Sequence, residues 1–219
     1  MKRTHSFLLT ASIVLATTFT LSCSGDDGDK DEGGGGSCSA DFGEVPIGTQ
    51  IWAKKNLNCN LKGSKCYDND EANCTKYGRL YDWATAMGLA SSCNSTSCSS
   101  QIQSKHNGIC PSGWHLPSDA EWNVLVNYTG GSSTAGSKLK AESGWDSNGT
   151  DDYGFSALPG GHLNRDGSFS SVGYHGIWWS ATEDNSYEAY DRIISNDHDG
   201  VQRNSLNKKN LYSVRCVKD

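Results

Sequence analysis

Six oxygen-bearing side chains in two short stretches are the first candidates for chemistry. The run Trp145-Asp146-Ser147-Asn148-Gly149-Thr150-Asp151-Asp152 puts donors at Asp146, Asn148, Asp151 and Asp152 around a glycine turn, and Glu183 and Asp184 follow the Trp178-Trp179 pair. A hard cation such as Ca²⁺ takes about six to eight oxygens, so this loop, helped by backbone carbonyls, is a candidate Ca²⁺ site. It is not an EF-hand, because the donor spacing and the closing Glu are missing. The rival reading is that Asn148 and the aspartates brace turns through side-chain to backbone hydrogen bonds. Trp145, Trp178 and Trp179 flank the same region and are candidate ligand-binding residues, since an indole face stacks on a sugar ring; packing in the core or bracing the loops is the stronger rival reading for each. If Trp178 and Trp179 lie on a strand, one of them should point outward.

Other chemistries find no constellation of residues. There is no Gly-x-Ser-x-Gly nucleophile elbow. The six histidines are scattered without metal-ligand spacing. His115, between Trp114 and Leu116 and just ahead of a helix signal, reads as a hydrogen-bonded structural residue, so no catalytic residue is assigned. Nine cysteines are present. Setting Cys23 aside leaves Cys38, Cys59, Cys66, Cys74, Cys93, Cys98, Cys110 and Cys216. An even number in an exported chain reads as a set of disulfides, with roughly a hundred connectivities open from sequence alone. Zinc would need paired CxxC-type spacings, and the closest pair, Cys93 and Cys98, has no matching second half.

The N-terminus supplies the reason to expect export. Lys2 and Arg3 precede an apolar run from Phe7 to Leu21 that ends at Leu21-Ser22-Cys23. A basic start, an apolar stretch and a small residue at the cut describe a secretory signal peptide. At ~1.5 Å per residue the run spans only ~22 Å, short of the ~30 Å hydrocarbon core of a bilayer. Cys23 at this junction resembles the bacterial lipobox, in which the thiol is lipidated and becomes the mature N-terminus, although Thr20 stands where that pattern favours Leu. Ser24 to Ser37 is Gly-rich and acidic, with no apolar residue to bury. It reads as a solvated tether, and acidic residues just after a lipidated Cys resemble surface-export signals of some Gram-negative lipoproteins. The expected organisation is a signal peptide at 1–22, a lipid-anchored tether at 23–37 and one domain at 38–219. The membrane would be contacted through the lipid, on the outer membrane and facing outward.

Some 180 residues after the tether suffice for one domain with its own core. The formal charge is −6, with no basic run, which argues against a nucleic-acid partner. Ile47 to Leu57 alternates enough for a first strand. Cys59 to Cys74 is polar and reads as an excursion closed by its own bridge. Tyr77 to Met87 looks like a turn feeding a helix. Ser118 and Glu121 form a capping box ahead of a helix whose Trp122, Leu125 and Val126 share a face, and Gly130-Gly131 ends it. A long Gly-, Asn- and Trp-rich loop region follows Lys138. Strands resume near 177–182, 187–195 and 211–217. Two helices, antiparallel strands and a long loop region make the class α+β, stapled by disulfides.

Six motifs occur in a specific order: Ile47-Gly48-Thr49-Gln50-Ile51-Trp52 with Asn56-Leu57; Tyr77-Gly78-Arg79-Leu80-Tyr81; Cys110-Pro111-Ser112-Gly113-Trp114-His115-Leu116-Pro117; Asn148 to Gly161; Trp178-Trp179-Ser180-Ala181-Thr182-Glu183; and Ser213-Val214-Arg215-Cys216-Val217. This order resembles the Fibrobacter succinogenes major paralogous domain over about residues 42 to 219. The resemblance implies a C-type-lectin-like fold, close to the formylglycine-generating-enzyme branch, in a family that is exported and often lipid-anchored but has no assigned activity. Formylglycine-generating enzymes act through a reactive cysteine pair, whereas Cys110 and Cys216 fall on structural motifs of this family and are expected to be bonded to each other. Cys66–Cys74 and Cys93–Cys98 are expected as local loops, and Cys38–Cys59 follows by elimination. Calcium-dependent lectins bind sugar through Glu-Pro-Asn or Gln-Pro-Asp and Trp-Asn-Asp triplets. This chain has Leu158-Pro159-Gly160 and Glu183-Asp184-Asn185 nearest those places, so the resemblance does not carry a calcium-bridged sugar site. The expected function is a surface-tethered, non-catalytic binding or adhesion module for extracellular carbohydrate or another surface protein. A structural envelope lipoprotein without a soluble ligand and an enzyme related to formylglycine generation are the alternatives.

Overall fold

The first strand expected from the sequence is instead a tight hairpin, β1 (Glu44–Ile47) and β2 (Gln50–Ala53), in register from Glu44↔Ala53 to Ile47↔Gln50. Gly48 allows the two-residue turn because it adopts φ +61°, the left-handed region that such hairpins favour. This computed structural model describes Met1, Cys38 and residues 41–219. The expected signal peptide, Cys23 and the tether lie outside the described residues.

Two sheets carry the domain. In the smaller one, β9 (Val217–Lys218) lies between β2 and β3 (Trp114–His115), so the end of the chain pairs with its first hairpin. The larger sheet has the order β5-β4-β6-β7-β8, built from β4 (Gly160–Leu163), β5 (Phe169–Val172), β6 (His175–Glu183), β7 (Glu188–Ser195) and β8 (Gln202–Asn207). Its pairings are antiparallel except β4 with β6, which meet in parallel at Gly161↔Gly176. The expected strand over 211–217 is mostly a run of single bridges, Leu211 to Leu163, Tyr212 to Tyr81 and Ser213 to Trp178, and becomes regular only at β9.

Among the described residues, four short α-helices stand where two were expected: α1 (Glu71–Tyr77), α2 (Trp83–Met87), α3 (Asp119–Tyr128) and α4 (Ala135–Leu139). Each start reflects a local hydrogen bond where a cap exists. Asp70 accepts from Ala72 N, Asp82 from Thr85 N, and Ser118 and Glu121 make the reciprocal capping box of α3. α2 stops at Gly88 in the left-handed conformation. The class is therefore α+β, mostly strands with few helices.

Strand β6 sits between two apolar clusters. Ile177, Trp179 and Ala181 pack with Trp83, Tyr81, Tyr212 and the Cys110–Cys216 sulfurs. Trp178 faces the other way, into Trp52, Trp122, Phe155 and Trp145. The expectation that one of the paired tryptophans points outward is corrected here. Both Trp178 and Trp179 are 0% exposed, because alternation sends them to opposite faces of a sheet whose two faces are both covered. Their indole N–H groups are satisfied internally, Trp178 Nε1 by Asn56 Oδ1 at 2.8 Å and Trp179 Nε1 by the Tyr81 carbonyl at 2.8 Å. Trp145 is likewise core, 5% exposed, and donates to the Ala157 carbonyl at 2.9 Å. None of the three presents a face to a sugar.

The eight described cysteines form four disulfides: Cys38–Cys59, Cys66–Cys74, Cys93–Cys98 and Cys110–Cys216. The polar excursion is thus tied at two places, Cys59 back to Cys38 and Cys66 to Cys74 across the start of α1.

Candidate functional site

The oxygen-rich loop is occupied with its own geometry. Asn148 Oδ1 accepts the Trp145 amide at 3.0 Å. Asp151 accepts from Ser156 twice, from its amide at 2.7 Å and from its hydroxyl at 2.6 Å. Asp146 and Asp152 point into solvent. Glu183 is engaged elsewhere: it forms an ion pair with the buried Lys208 and accepts from Ser97 Oγ and Cys98 N, while Asp184 is exposed. The six candidate ligands do not converge. Among the described residues the one group of three close Cys, His, Asp or Glu ligand atoms is Cys66, Glu71 and Cys74, whose sulfurs are joined in a disulfide. The hydrogen bonds of Asn148 and Asp151 fit the turn-bracing reading, and the structure does not bring the six candidate Ca²⁺ ligands together.

His115 is buried between two carboxylates, with Nδ1 at 2.7 Å from Asp219 and Nε2 at 2.7 Å from Glu121. Burial disfavours its charged form, but the hydrogen bonds to Glu121 and Asp219 outweigh this and raise its pKa. Since Glu121 also closes the capping box of α3, His115 ties that helix to the last residue of the chain. With its ring 1% exposed, it holds structure and offers no access to a substrate.

The chain does contain a cavity, and the sequence reading did not find it. It holds about 470 Å³ between the segment after β2 and the end of α1. Its rim carries Lys54, Lys55 and Lys76, all exposed, and one acid, Asp41. Tyr77, Leu57 and Leu158 give the wall apolar surface, while Asn58, Thr75 and Ser156 give it polar groups. Arg215 forms part of the floor.

Arg215 is held by neutral partners alone. Its Nε donates to Asn56 Oδ1 at 2.9 Å, and Nη1 donates to the carbonyls of Ala53, Lys54 and Phe155 at 3.0, 2.8 and 2.7 Å. The guanidinium lies over the Phe155 ring, 4.4 Å from its centre. No carboxylate touches it, and Nη2 has no acceptor among the described residues. Burial lowers its pKa to about 9, against a smaller opposing pull from Asp151.

Asn56 is the pin of this floor. Its Oδ1 accepts from both Arg215 and Trp178, and its Nδ2 donates to the Tyr77 carbonyl at 2.8 Å. Gly78 makes that approach feasible: a Cβ there would stand 2.8 Å from Asn56 Cβ and from the Leu57 carbonyl, at a φ of +79°. Gly78→Ala should therefore cost more than ~1 kcal/mol of stability and loosen the cavity wall. Urea titration of the variant checks this, and an unchanged midpoint would contradict it. Asp151, offered above as a metal ligand, instead fixes Ser156 in a left-handed conformation, φ 53°, at the cavity wall.

The missed residues carried only weak signals. Lys54-Lys55 is a visible pair, and Asn56 and Arg215 fall in quoted motifs, but joining them to Lys76 requires the fold.

A disulfide-stapled α+β domain with a basic, half-apolar cavity is the class that fold and site define. Over residues 45–218 the chain matches the family model described as Fibrobacter succinogenes major domain, and it belongs to that family. No curated protein and no solved structure matches it.

Proposed function

We propose that this chain is an exported lipoprotein, anchored through Cys23 to the outer membrane and facing outward, whose C-type-lectin-like domain binds extracellular carbohydrate or another surface protein without catalysis. The cavity beside β2 and α1 is the observation that carries this reading. At about 470 Å³ it lies within the roughly 300–1,000 Å³ typical of small-ligand sites, and it mixes apolar walls with a few placed polar groups. The disulfide state of Cys110 and Cys216, both buried, favours binding over chemistry of the formylglycine-generating type, which requires free thiols. A glycan and plant-polysaccharide array probed with the fragment from Ser37 onward tests the reading. Specific saccharide signals support it, and a silent array favours a structural envelope role.

The anchor has its own test. Cys23→Ala should release the protein from membranes or leave the precursor uncut, because several acyl chains at ~0.8 kcal/mol per buried CH₂ hold a protein without a transmembrane helix. Fractionation of cells with mass spectrometry of the N-terminus reads the result. Soluble, unlipidated wild-type protein cut at another position would contradict it.

A further inference from the structure

We infer that the cavity takes an anionic ligand, namely the carboxylate of an acidic saccharide of one or two rings. The inference rests on the binding-module reading and narrows its ligand class. Four cations meet at this cavity in a chain whose formal charge is −6, Lys54, Lys55 and Lys76 at the rim and Arg215 at the floor; among the described lining residues Asp41 is the one acid, and Asp151 stands behind Ser156. A concave site lined by one sign of charge concentrates the opposite ion. Arg215 is the decisive member. It is 1% exposed, has no carboxylate in contact, and has spent its Nε and Nη1 donors on Asn56 and three carbonyls, so Nη2 remains to donate. A buried guanidinium without a carboxylate partner is costly, and an oxyanion entering the cavity supplies that partner with a charge-assisted hydrogen bond.

The rest of the wall fits a sugar acid better than a bare inorganic anion. Leu158, half-buried, offers apolar surface to a ring, and Asn58, Thr75 and Ser156 offer donors and acceptors to hydroxyls. The volume, about 470 Å³, exceeds what a single tetrahedral anion fills and suits one or two rings.

Isothermal titration of the mature protein, as the cell makes it, against galacturonate oligomers, the matching neutral galactose oligomers and sodium sulfate tests the assignment. The uronate should bind at least about tenfold more tightly than the neutral sugar, and its affinity should fall with added salt. The triple variant Lys54→Gln/Lys55→Gln/Lys76→Gln changes only exposed side chains, keeps the fold, and should lose about tenfold or more in uronate affinity. Its unchanged melting temperature separates loss of binding from loss of structure. Equal binding of neutral and acidic oligomers, sulfate binding as tight as the uronate, or full uronate affinity in the triple variant each overturns the carboxylate assignment. Neutral binding alone leaves the binding-module reading standing, whereas no saccharide binding on either the array or the titration removes the carboxylate assignment and the carbohydrate half of that reading.

Discussion

Asp191→Asn should stabilise this protein at pH 8 by about 4 kcal/mol and leave it unchanged near pH 4. Asp191 lies on β7 opposite Trp179 and is 0% exposed. Neither of its carboxylate oxygens has a partner in good hydrogen-bond geometry, and the Asn204 amide across the strand pair is near enough only to offset part of the burial. Burial pushes its pKa from 3.8 up to about 7, with Arg192 and Asn204 pulling weakly the other way. The folded state therefore holds a proton that the unfolded chain releases. This contribution to stability is fully present below about pH 4 and is lost as the pH rises towards 7. At ~1.4 kcal/mol for each tenfold change in proton affinity, the loss is about 4 kcal/mol. The amide has the shape of the neutral acid and no charge to desolvate, so the variant escapes the loss. Denaturant titrations of both proteins from pH 4 to 8 check the claim through their difference, which cancels other groups such as His115. A difference that does not grow across this range would show that the Asp191 carboxyl titrates normally.

The second large effect belongs to the longest disulfide. Cys110–Cys216 joins residues 106 apart, connecting the segment before β3 to the residue before β9. Both sulfurs are buried against Trp179 and Trp83 in one apolar cluster. Cys110→Ser/Cys216→Ser should cost about 4–5 kcal/mol, the loop-closure value for a loop of this length. Two hydroxyls placed in an apolar cluster can only add to that cost. The same pair of substitutions at Cys93 and Cys98, which close a loop of sequence separation 5, should cost less. Comparing the two double variants by denaturant titration separates loop entropy from burial of hydroxyls, since all four sulfurs are buried. Equal losses would contradict the loop-length argument.

Parts of this architecture were legible before any coordinates because their causes are local. The capping box of Ser118 and Glu121 with the apolar face of Trp122, Leu125 and Val126 marks α3, and Gly130-Gly131 marks its end. The apolar, β-branched and aromatic runs near 177–182 and 187–195 mark β6 and β7. Other elements lack such a signal. β8 reads Gln-Arg-Asn-Ser-Leu-Asn, because an edge strand is kept polar and blunts pairing with other chains. β5 is half-buried at every position, so no alternation appears. α1 has seven residues, too few to be stable alone, and depends on Asp70 and the Cys66–Cys74 bridge.

The site was harder to read than the fold for a related reason. Oxygen-rich loops and tryptophans advertise chemistry in a sequence, yet Asp151 is spent on Ser156, Glu183 on Lys208, and Trp145, Trp178 and Trp179 on packing. The cavity instead draws Lys54, Lys76 and Arg215 from three distant stretches, and no local pattern links them. What could have raised suspicion is an arginine set between the apolar Val214 and Cys216-Val217 near the chain's last strand.

On the proposed function, the domain meets its ligand in this cavity. A crystal structure of the protein with a galacturonate oligomer tests it most directly. The expected result is a carboxylate within hydrogen-bond distance of Arg215 Nη2, a ring against Leu158, and Lys54, Lys55 and Lys76 turned towards the saccharide. A ligand bound at any other surface, with the cavity filled by water alone, would contradict the account.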